Sequence, residues 1–242
     1  ASAVPALRNT LKAEDLWLRI KAAEALAAIG DAAMPAVPEL LTMLAAGPTQ
    51  TDPRGMQQRY LMFALFDQRS GLLNRSLVGV DREALYEAVR AGLRNEDGRA
   101  RSAIETVYRQ LSYEEIEPLL PAIHQAVVNP APSGIMFADG IRLSGLGVLA
   151  KQRIAEGMPL CIDTIEIDRW GMDNRIKKCL EALQIYGGAA KSLLPRLEEL
   201  ETKLRNHRDA KKLQAHIGLL GKTIMVIRSD SNPPELRPLP RG

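Results

Sequence analysis

The chain has 242 residues, of which 46% are hydrophobic, 25% are charged and only 4% are aromatic. Strands favour β-branched and aromatic residues, whereas helices favour the Ala, Leu, Glu, Lys and Arg that are abundant here, so the composition predicts an all-helical protein. The formal net charge of +3 is too small to indicate nucleic acid or an anionic membrane as a partner. No apolar run approaches the roughly 20 residues of a transmembrane helix, so no membrane insertion is expected.

Apolar residues that recur every three or four positions predict helices along most of the chain. A leading helix is followed by successive helix pairs and by a last helix that would cap the array. Residues 229–242 are rich in proline, and we expect them to form an extended or disordered tail. In chain order the predicted helices cover Val4–Leu11, Leu16–Ile29, Ala36–Leu44, Met56–Phe66, Asp81–Leu93, Asp139–Ile154, Met158–Ile165, two segments within Leu180–Leu204, and Asp209–Ile227.

One spacing recurs along the sequence. Glu24–Leu41 and Glu181–Leu200 each contain a Gly six residues after the first Glu and a Pro eight residues after that Gly. Gly favours the C-terminal end of a helix and Pro the first turn of the next one, so each copy predicts a helix pair. With a looser copy at Arg101–Ile123, the copies are separated by multiples of about 37 to 41 residues, close to the period of HEAT and armadillo repeats.

These segments resemble the HEAT-repeat family in its bacterial form. The resemblance is carried by Arg19–Leu44 (RIKAAEALAAIGDAAMPAVPELLTML), Asp97–Tyr108 (DGRARSAIETVY) and Leu180–Leu200 (LEALQIYGGAAKSLLPRLEEL). It covers roughly Ala3 to Ile227. It implies an α-solenoid of about five HEAT-like helical hairpins, forming a single domain over residues 1–228 with a C-terminal capping helix.

A narrower resemblance rests on Val78–Arg101, Pro130–Leu143 and Asp168–Gly171. These segments are similar to the C-terminal part of large, uncharacterised bacterial proteins that carry a PDZ-like domain behind an export signal. The resemblance implies that the chain is the C-terminal module of a larger exported or periplasmic protein. A cytoplasmic location stays open, and the resemblance brings no catalytic residue.

Charged pairs are expected to form a polar ladder along the repeats. An acidic residue with a basic residue four positions later shares a helix face with it, and the acid suits the positive N-terminus of the helix. Asp139 stands at the equivalent place in its unit, but Arg142 follows after three residues, which predicts a distorted ladder there. The regular pairs are Asp15 with Arg19, Asp97 with Arg101, and Asp173 with Lys177.

The segment NPAPSGIMFADGIRL, residues 129–143, is the first candidate interaction site. Its prolines break the preceding helix, and Met136 and Phe137 are apolar where other units are more polar. Together with Asp139 and Arg142 they are candidate contact residues, and packing within the array is the alternative interpretation. Gly140, Ser144 and Gly147 add a stripe of small residues that indicates a close neighbouring helix or room for a ligand.

The second candidate is the pair Arg169 and Trp170, in the stretch IDTIEIDRWG. Both residue types are enriched at binding hot spots, which would make the pair a patch for a partner. The alternative is an exposed turn in which Trp170 packs on the next helix.

No catalytic constellation is found in the sequence, and neither enzymatic activity nor a cofactor or metal is expected. His124, His207 and His216 lack the i, i+4 spacing of a helical zinc site. Cys161 and Cys179 fit no zinc pattern and are expected to be buried small hydrophobic residues.

The sequence therefore predicts a non-catalytic scaffold or protein–protein interaction module, whose partner is another protein or another domain of the same parent chain. One alternative is an accessory or substrate-binding region of an exported enzyme that acts on a polymer. The other is a nucleic-acid-binding HEAT array. It is disfavoured because the basic cluster Asn206–Lys212 is offset by acidic residues upstream and has no interleaved aromatic residues.

Overall fold

The computed structural model describes residues 3–133 and 135–241, apart from the side chains of Ile135 and Met136. Over these residues the regular structure consists of α-helices and short 3-10 helices without a strand, so the predicted all-α class is confirmed. The 3-10 helices are Gly30–Ala36, Glu117–Leu119 and Gly187–Leu193. The α-helices are α1 (Val4–Thr10), α2 (Leu16–Ile29), α3 (Val37–Ala45), α4 (Met56–Phe66), α5 (Arg82–Gly92), α6 (Gly98–Ala103), α7 (Glu105–Tyr108), α8 (Leu120–Val128), α9 (Ile135–Lys151), α10 (Gly157–Asp163), α11 (Met172–Tyr186), α12 (Leu194–Arg205) and α13 (Gln214–Ser229).

The chain divides into two compact units. The sequence, in contrast, predicts a single domain over residues 1–228. The first unit comprises Ala1–Ala122 with Asn129–Ile141. The second comprises Ile123–Val128 with Arg142–Gly242. The boundary between the two units falls within α8 and within α9.

Aspartates fix the N-termini of several helices. The carboxylates of Asp15, Asp81 and Asp97 each accept a hydrogen bond of 2.8–2.9 Å from the backbone N–H three residues later. Such N-caps satisfy helix N–H groups that have no partner within the helix. The N-cap position of α4 is Gly55, which has no side chain to do this, and Asp52 instead accepts from the first two N–H groups of α4.

The junctions at Gly30 and Gly187 have the same construction. Both glycines end a long helix with a positive φ, of 74° and 51°, which is a conformation that L-residues with a side chain rarely adopt. A seven-residue 3-10 helix begins at each glycine, and a proline stands at the start of the next α-helix. The spacing seen in the sequence therefore corresponds to one repeated local structure.

In the first unit, α2 packs along α4 and α4 along α6, while α3 packs along α5 and also contacts α4. Two buried amides connect these layers. Asn95 Nδ2 donates to Gln58 Oε1 at 2.8 Å, and Gln58 Nε2 donates to the carbonyl of Leu44 at 3.2 Å. Because both amides are bonded, their burial costs little. The apolar core around them includes Ile20, Leu26, Leu40, Leu44, Leu61, Leu65, Phe66, Leu85, Val89, Ile104 and Val107.

In the second unit, α13 packs against both α11 and α12, and α10 packs against α11. The buried Tyr186 donates from its hydroxyl to the carbonyl of Ile154 at 2.8 Å. After α13 the chain continues without helix to Arg241. The apolar core includes Cys161, Ile176, Cys179, Leu180, Leu183, Leu197, Leu204, Ile217, Leu220 and Ile227.

One helical stretch among the described residues, Leu16–Ala45, is long and apolar enough to cross a membrane by length and composition. The expectation that no such run exists is therefore wrong for this stretch. It consists of α2, the 3-10 helix Gly30–Ala36 and α3, with the positive φ of Gly30 between the two α-helices. In the first unit α2 packs on α4 and α3 on α5, and core helices of globular proteins commonly share this composition.

Candidate interaction surface

Five arginines recur in α2, α4, α6, α9 and α11, near the start of every one of these helices except α9. They are separated by 40, 42, 41 and 33 residues. In the four of these helices whose N-cap is described, the arginine is the fourth residue after the cap. The five residues are Arg19, Arg59, Arg101, Arg142 and Arg175.

Most of these guanidinium groups bind backbone carbonyls. Arg19 donates to the carbonyls of residues 13 and 14, both at 2.7 Å, in the loop that precedes α2. The fully buried Arg175 donates to the carbonyls of residues 166 and 170, at 2.8 and 2.9 Å, in the loop that precedes α11. Arg101 and Arg142 donate to the carbonyls of residues 129 and 127, at 2.9 and 3.1 Å. Arg59 instead pairs with the carboxylate of Asp97 at 3.2 Å.

These five arginines, called the arginine register below, correct one expectation about the polar ladder. Arg142 follows Arg101 by 41 residues but is the eighth residue of α9, so it does not share the position after the N-cap that the other four arginines have. In α11 the residue four positions after the N-cap Gly171 is Arg175, whereas Lys177 is exposed at the helix surface. The predicted pairing of Asp173 with Lys177 therefore missed Arg175, which is the buried basic residue of this helix.

Aromatic side chains and one arginine form a continuous row in the first unit, in which Tyr60 and Phe63 are half-buried and the other members are exposed. The ring centroids of Trp17 and Tyr60 are 6.2 Å apart, and those of Tyr60 and Phe63 are also 6.2 Å apart, both in edge-to-face geometry. The guanidinium of Arg99 lies over the rings of Phe63 and Phe137, 5.6 Å from each centroid. We call these five residues the aromatic strip.

The five residues of the aromatic strip lie on four helices in the first unit. Trp17 lies on α2, Tyr60 and Phe63 lie three residues apart on one face of α4, Arg99 lies on α6, and Phe137 lies on α9. Trp17 is 51% exposed and Phe137 is 49% exposed. Four of the ten aromatic residues of the chain are gathered here, so the strip concentrates a residue type that is otherwise scarce.

The approach of α9 to α6 positions the end of the strip. The hydroxyl of Ser102 donates to the carbonyl of Phe137 at 2.6 Å. In the next turn, a Cβ on Gly140 would lie 3.1 Å from the same Ser102 oxygen. Gly147, in contrast, has nothing within 4 Å of a Cβ, so the predicted small-residue stripe is closely packed at Gly140 and open at Gly147.

The candidates in residues 129–143 have different surroundings. Phe137 belongs to the aromatic strip. Asp139 is half-buried in α9, and Arg142 uses its guanidinium to bind a backbone carbonyl. The side chain of Met136 lies outside the described residues. Sequence reasoning identified Phe137 but missed its partners in the strip, which lie 38 to 120 residues earlier in the chain.

The other candidate pair lies on the loop before α11, in the second unit. Trp170 is 70% exposed, so the interpretation in which it packs on the next helix is wrong. Arg169 forms an ion pair with Glu166 at 2.9 Å. The loop is held by the buried Arg175, and Asp168 accepts from His207 Nε2 at 3.2 Å.

His207 and His216 are mostly covered and lie against acidic residues. The Nε2 atom of His216 is 3.5 Å from the carboxylate of Asp173. Cys161 and Cys179 are buried as free thiols, and burial raises the pKa of the Cys161 thiol well above its ordinary value. Within the described residues no group of three or more His, Cys, Asp or Glu side chains is placed to hold a metal ion.

Comparison of the sequence with protein-family models and with curated proteins gives no match.

Proposed function

We propose that this chain is a non-catalytic protein-interaction module built from HEAT-like helical hairpins, and that the aromatic strip is its binding surface. The observation that carries the proposal is the partly exposed row of four aromatic rings and one guanidinium across α2, α4, α6 and α9.

The repeat part of the proposal is supported by local structure. The arginine register recurs at about the HEAT interval, and the two glycine junctions share one construction. In the first unit, first helices pack on first helices and second helices on second helices, as expected for stacked hairpins. On this interpretation the strip runs along the first helices of successive repeats.

The composition of the strip favours a protein partner. Trp, Tyr, Phe and Arg are the residue types most enriched at the centres of protein interfaces. Trp17 and Phe137 are large apolar side chains that are about half exposed. Covering them in a complex would stabilise that complex by about 25 cal/mol per Å² of apolar area.

The geometry of the rings disfavours the two alternatives from the sequence. Binding of bases or sugars by aromatic residues uses open ring faces. In the strip, Arg99 covers one face of Phe63 and one face of Phe137, and the remaining contacts are edge to face. The rings therefore offer edges and partial faces, which suit apolar side chains better than flat stacking ligands.

Charge indicates the chemistry of the partner. Among the described residues no carboxylate forms an ion pair with Arg99, whose contacts are the two phenyl rings. A cation flanked by apolar rings is complementary to a carboxylate flanked by apolar side chains. The proposed partner is therefore a protein segment in which an acidic residue is adjacent to apolar or aromatic residues.

The proposal is tested by selecting ligands from a displayed peptide library on the native chain and measuring their affinity for single variants. Phe137→Ser and Arg99→Glu should each weaken the selected peptides at least tenfold. Trp170→Ser, which removes a more exposed ring outside the strip, is the control and should leave the affinity unchanged. Equal losses in all three variants, or strip-dependent binding of single-stranded oligonucleotides instead of peptides, would contradict the proposal.

A further inference from the structure

The residues after α13 are held as an extended segment on the turn between α9 and α10. The N–H of Arg237 donates to the carbonyl of Arg153 at 3.0 Å, and the N–H of Ala155 donates to the carbonyl of Arg237 at 3.0 Å, which forms a parallel bridge. Two residues later, the N–H of Leu239 donates to the carboxylate of Glu156 at 2.9 Å. The segment thus binds like an added strand, by main-chain hydrogen bonds.

The side chain of Arg237 provides the anchor of the segment. Its Nε donates to the carbonyl of Gln152 at 2.9 Å, and a terminal guanidinium nitrogen donates to the side-chain oxygen of the same residue. Gln152 directly follows α9 and is only 2% exposed. Carbonyl groups at the C-terminal end of a helix lack partners within the helix and carry partial negative charge, so this position attracts a guanidinium.

The turn itself has an uncommon backbone. Arg153 has a φ of 57°, which makes it the one non-glycine residue with positive φ among those described. This conformation is strained for an L-residue and persists where the surroundings determine it. Here the carbonyl of Arg153 is one of the groups that the extended segment binds.

We propose that the turn formed by residues 152–156 is a recognition site for extended protein segments that carry Arg followed by Pro, and that the chain's own tail is its intramolecular occupant. Main-chain bonding accepts many sequences, and the Gln152 position selects the guanidinium. The tail donates N–H groups at Arg237 and Leu239, and Pro238 between them has no N–H to leave unsatisfied. The ligand class is therefore a partner segment of the Leu-Arg-Pro-Leu type.

The tail controls access to the site. A segment tethered to its own site has an effective concentration in the millimolar range, so an external segment of equal intrinsic affinity must compete with it. External binding becomes strong when the anchor of the tail is removed or the tail is engaged elsewhere. Loss of the Arg237 side chain should weaken the tail at this site while leaving the site itself intact.

The test uses the full chain and a fluorescein-labelled peptide with the sequence of residues 234–241, PELRPLPR. By fluorescence anisotropy, the Arg237→Ala chain should bind the peptide at least tenfold more tightly than the unaltered chain does. Arg241→Ala, which removes an exposed arginine of the same tail, is the matched control and should bind as weakly as the unaltered chain. A peptide with Ala in place of its first Arg should lose at least tenfold in affinity.

A second measurement locates the binding. Hydrogen exchange of the Ala155 amide should accelerate in Arg237→Ala and slow again when the peptide is added. If Arg237→Ala does not fold, Arg237→Lys loosens the same anchor and takes its place. A folded variant that fails to bind millimolar peptide would overturn the proposal. So would concentration-dependent dimers without peptide binding, which would mean that tails are exchanged between copies.

Discussion

Replacing Arg175 by Met should strongly destabilise the second unit, although the sequence alone does not single out this position. Arg175 is fully buried, and its guanidinium donates to the carbonyls of Glu166 and Trp170 at 2.8 and 2.9 Å. Methionine retains much of the side-chain volume but cannot donate a hydrogen bond. The two carbonyls would lose the donor that holds the loop before α11.

The magnitude follows from the two hydrogen bonds. A hydrogen bond from a charged group contributes about 1.5–3 kcal/mol, so the two bonds together contribute about 3–6 kcal/mol. Burying a guanidinium has a desolvation penalty that the variant avoids, which brings the expected loss to about 3 kcal/mol. Arg19→Met should cost only about 1 kcal/mol, because Arg19 is partly exposed and water can reach the carbonyls that it binds.

Urea unfolding followed by circular dichroism measures the loss, and Lys177→Met is the matched control. Lys177 lies two residues further along α11, is exposed, and has only a 4.0 Å pair with Glu181. Such a pair contributes about 0.3–0.5 kcal/mol. If Arg175→Met is as mild as Lys177→Met, then the arginine register does not stabilise the repeats and the reasoning is wrong.

Three further predictions concern packing, thiols and acid. Gly140→Leu should lower the free energy of unfolding by more than about 1 kcal/mol because its Cβ meets Ser102, whereas Gly147→Leu, in open space on the same helix, should melt nearly as the unaltered chain does. A thiol reagent should leave Cys161 and Cys179 unmodified in the native chain and label both in denaturant, and fast native labelling would contradict their burial. Hydrogen bonds from the N–H groups of Gly188 and Asn232 lower the pKa of Asp230 below its ordinary 3.8, so its stabilising contribution is complete above about pH 4 and is lost as the pH falls through the lowered value. Asp230→Asn should therefore melt with a weaker acid dependence than the unaltered chain below about pH 4, and an unchanged dependence would contradict this origin.

Local signals explain what could be predicted from the sequence. The helix α2 is bounded by Asp15 and Gly30, a capping aspartate and a glycine with positive φ, and its predicted limits agree with the structure. The α4 limits also agree, although its cap comes from Asp52 in the preceding loop. Such features depend on a few neighbouring residues, so periodicity and caps suffice to find them.

The aromatic strip depends on contacts that no local pattern contains. Trp17 and Tyr60 are 43 residues apart in sequence, and Arg99 joins Phe63 to Phe137 only through the packing of α6 between α4 and α9. The arginine register was visible in the sequence at intervals of about 40 residues. The sequence interpretation missed this register because it looked for acidic and basic residues four positions apart. Most of these arginines instead bind backbone carbonyls, and the sequence does not show which carbonyls lie within their reach.

The position of the tail also depends on contacts that no local sequence pattern contains. Prolines in residues 229–242 correctly indicate that no helix follows α13 among the described residues, which end at Arg241. They do not reveal that Arg237 reaches the carbonyl and side chain of Gln152, 85 residues earlier in the chain. Long-range anchoring of this kind depends on where the end of α9 lies in the folded unit.

The most direct test of the central claim is a charge exchange across the proposed interface. A peptide selected on the native chain is measured by anisotropy against the unaltered chain and against Arg99→Glu, with its acidic residue intact or replaced by Lys. Complementary charges across the strip predict that Arg99→Glu weakens the original peptide at least tenfold and that the Lys peptide recovers most of the loss. Equal binding of both peptides to both chains would contradict the claim that the aromatic strip is the binding surface.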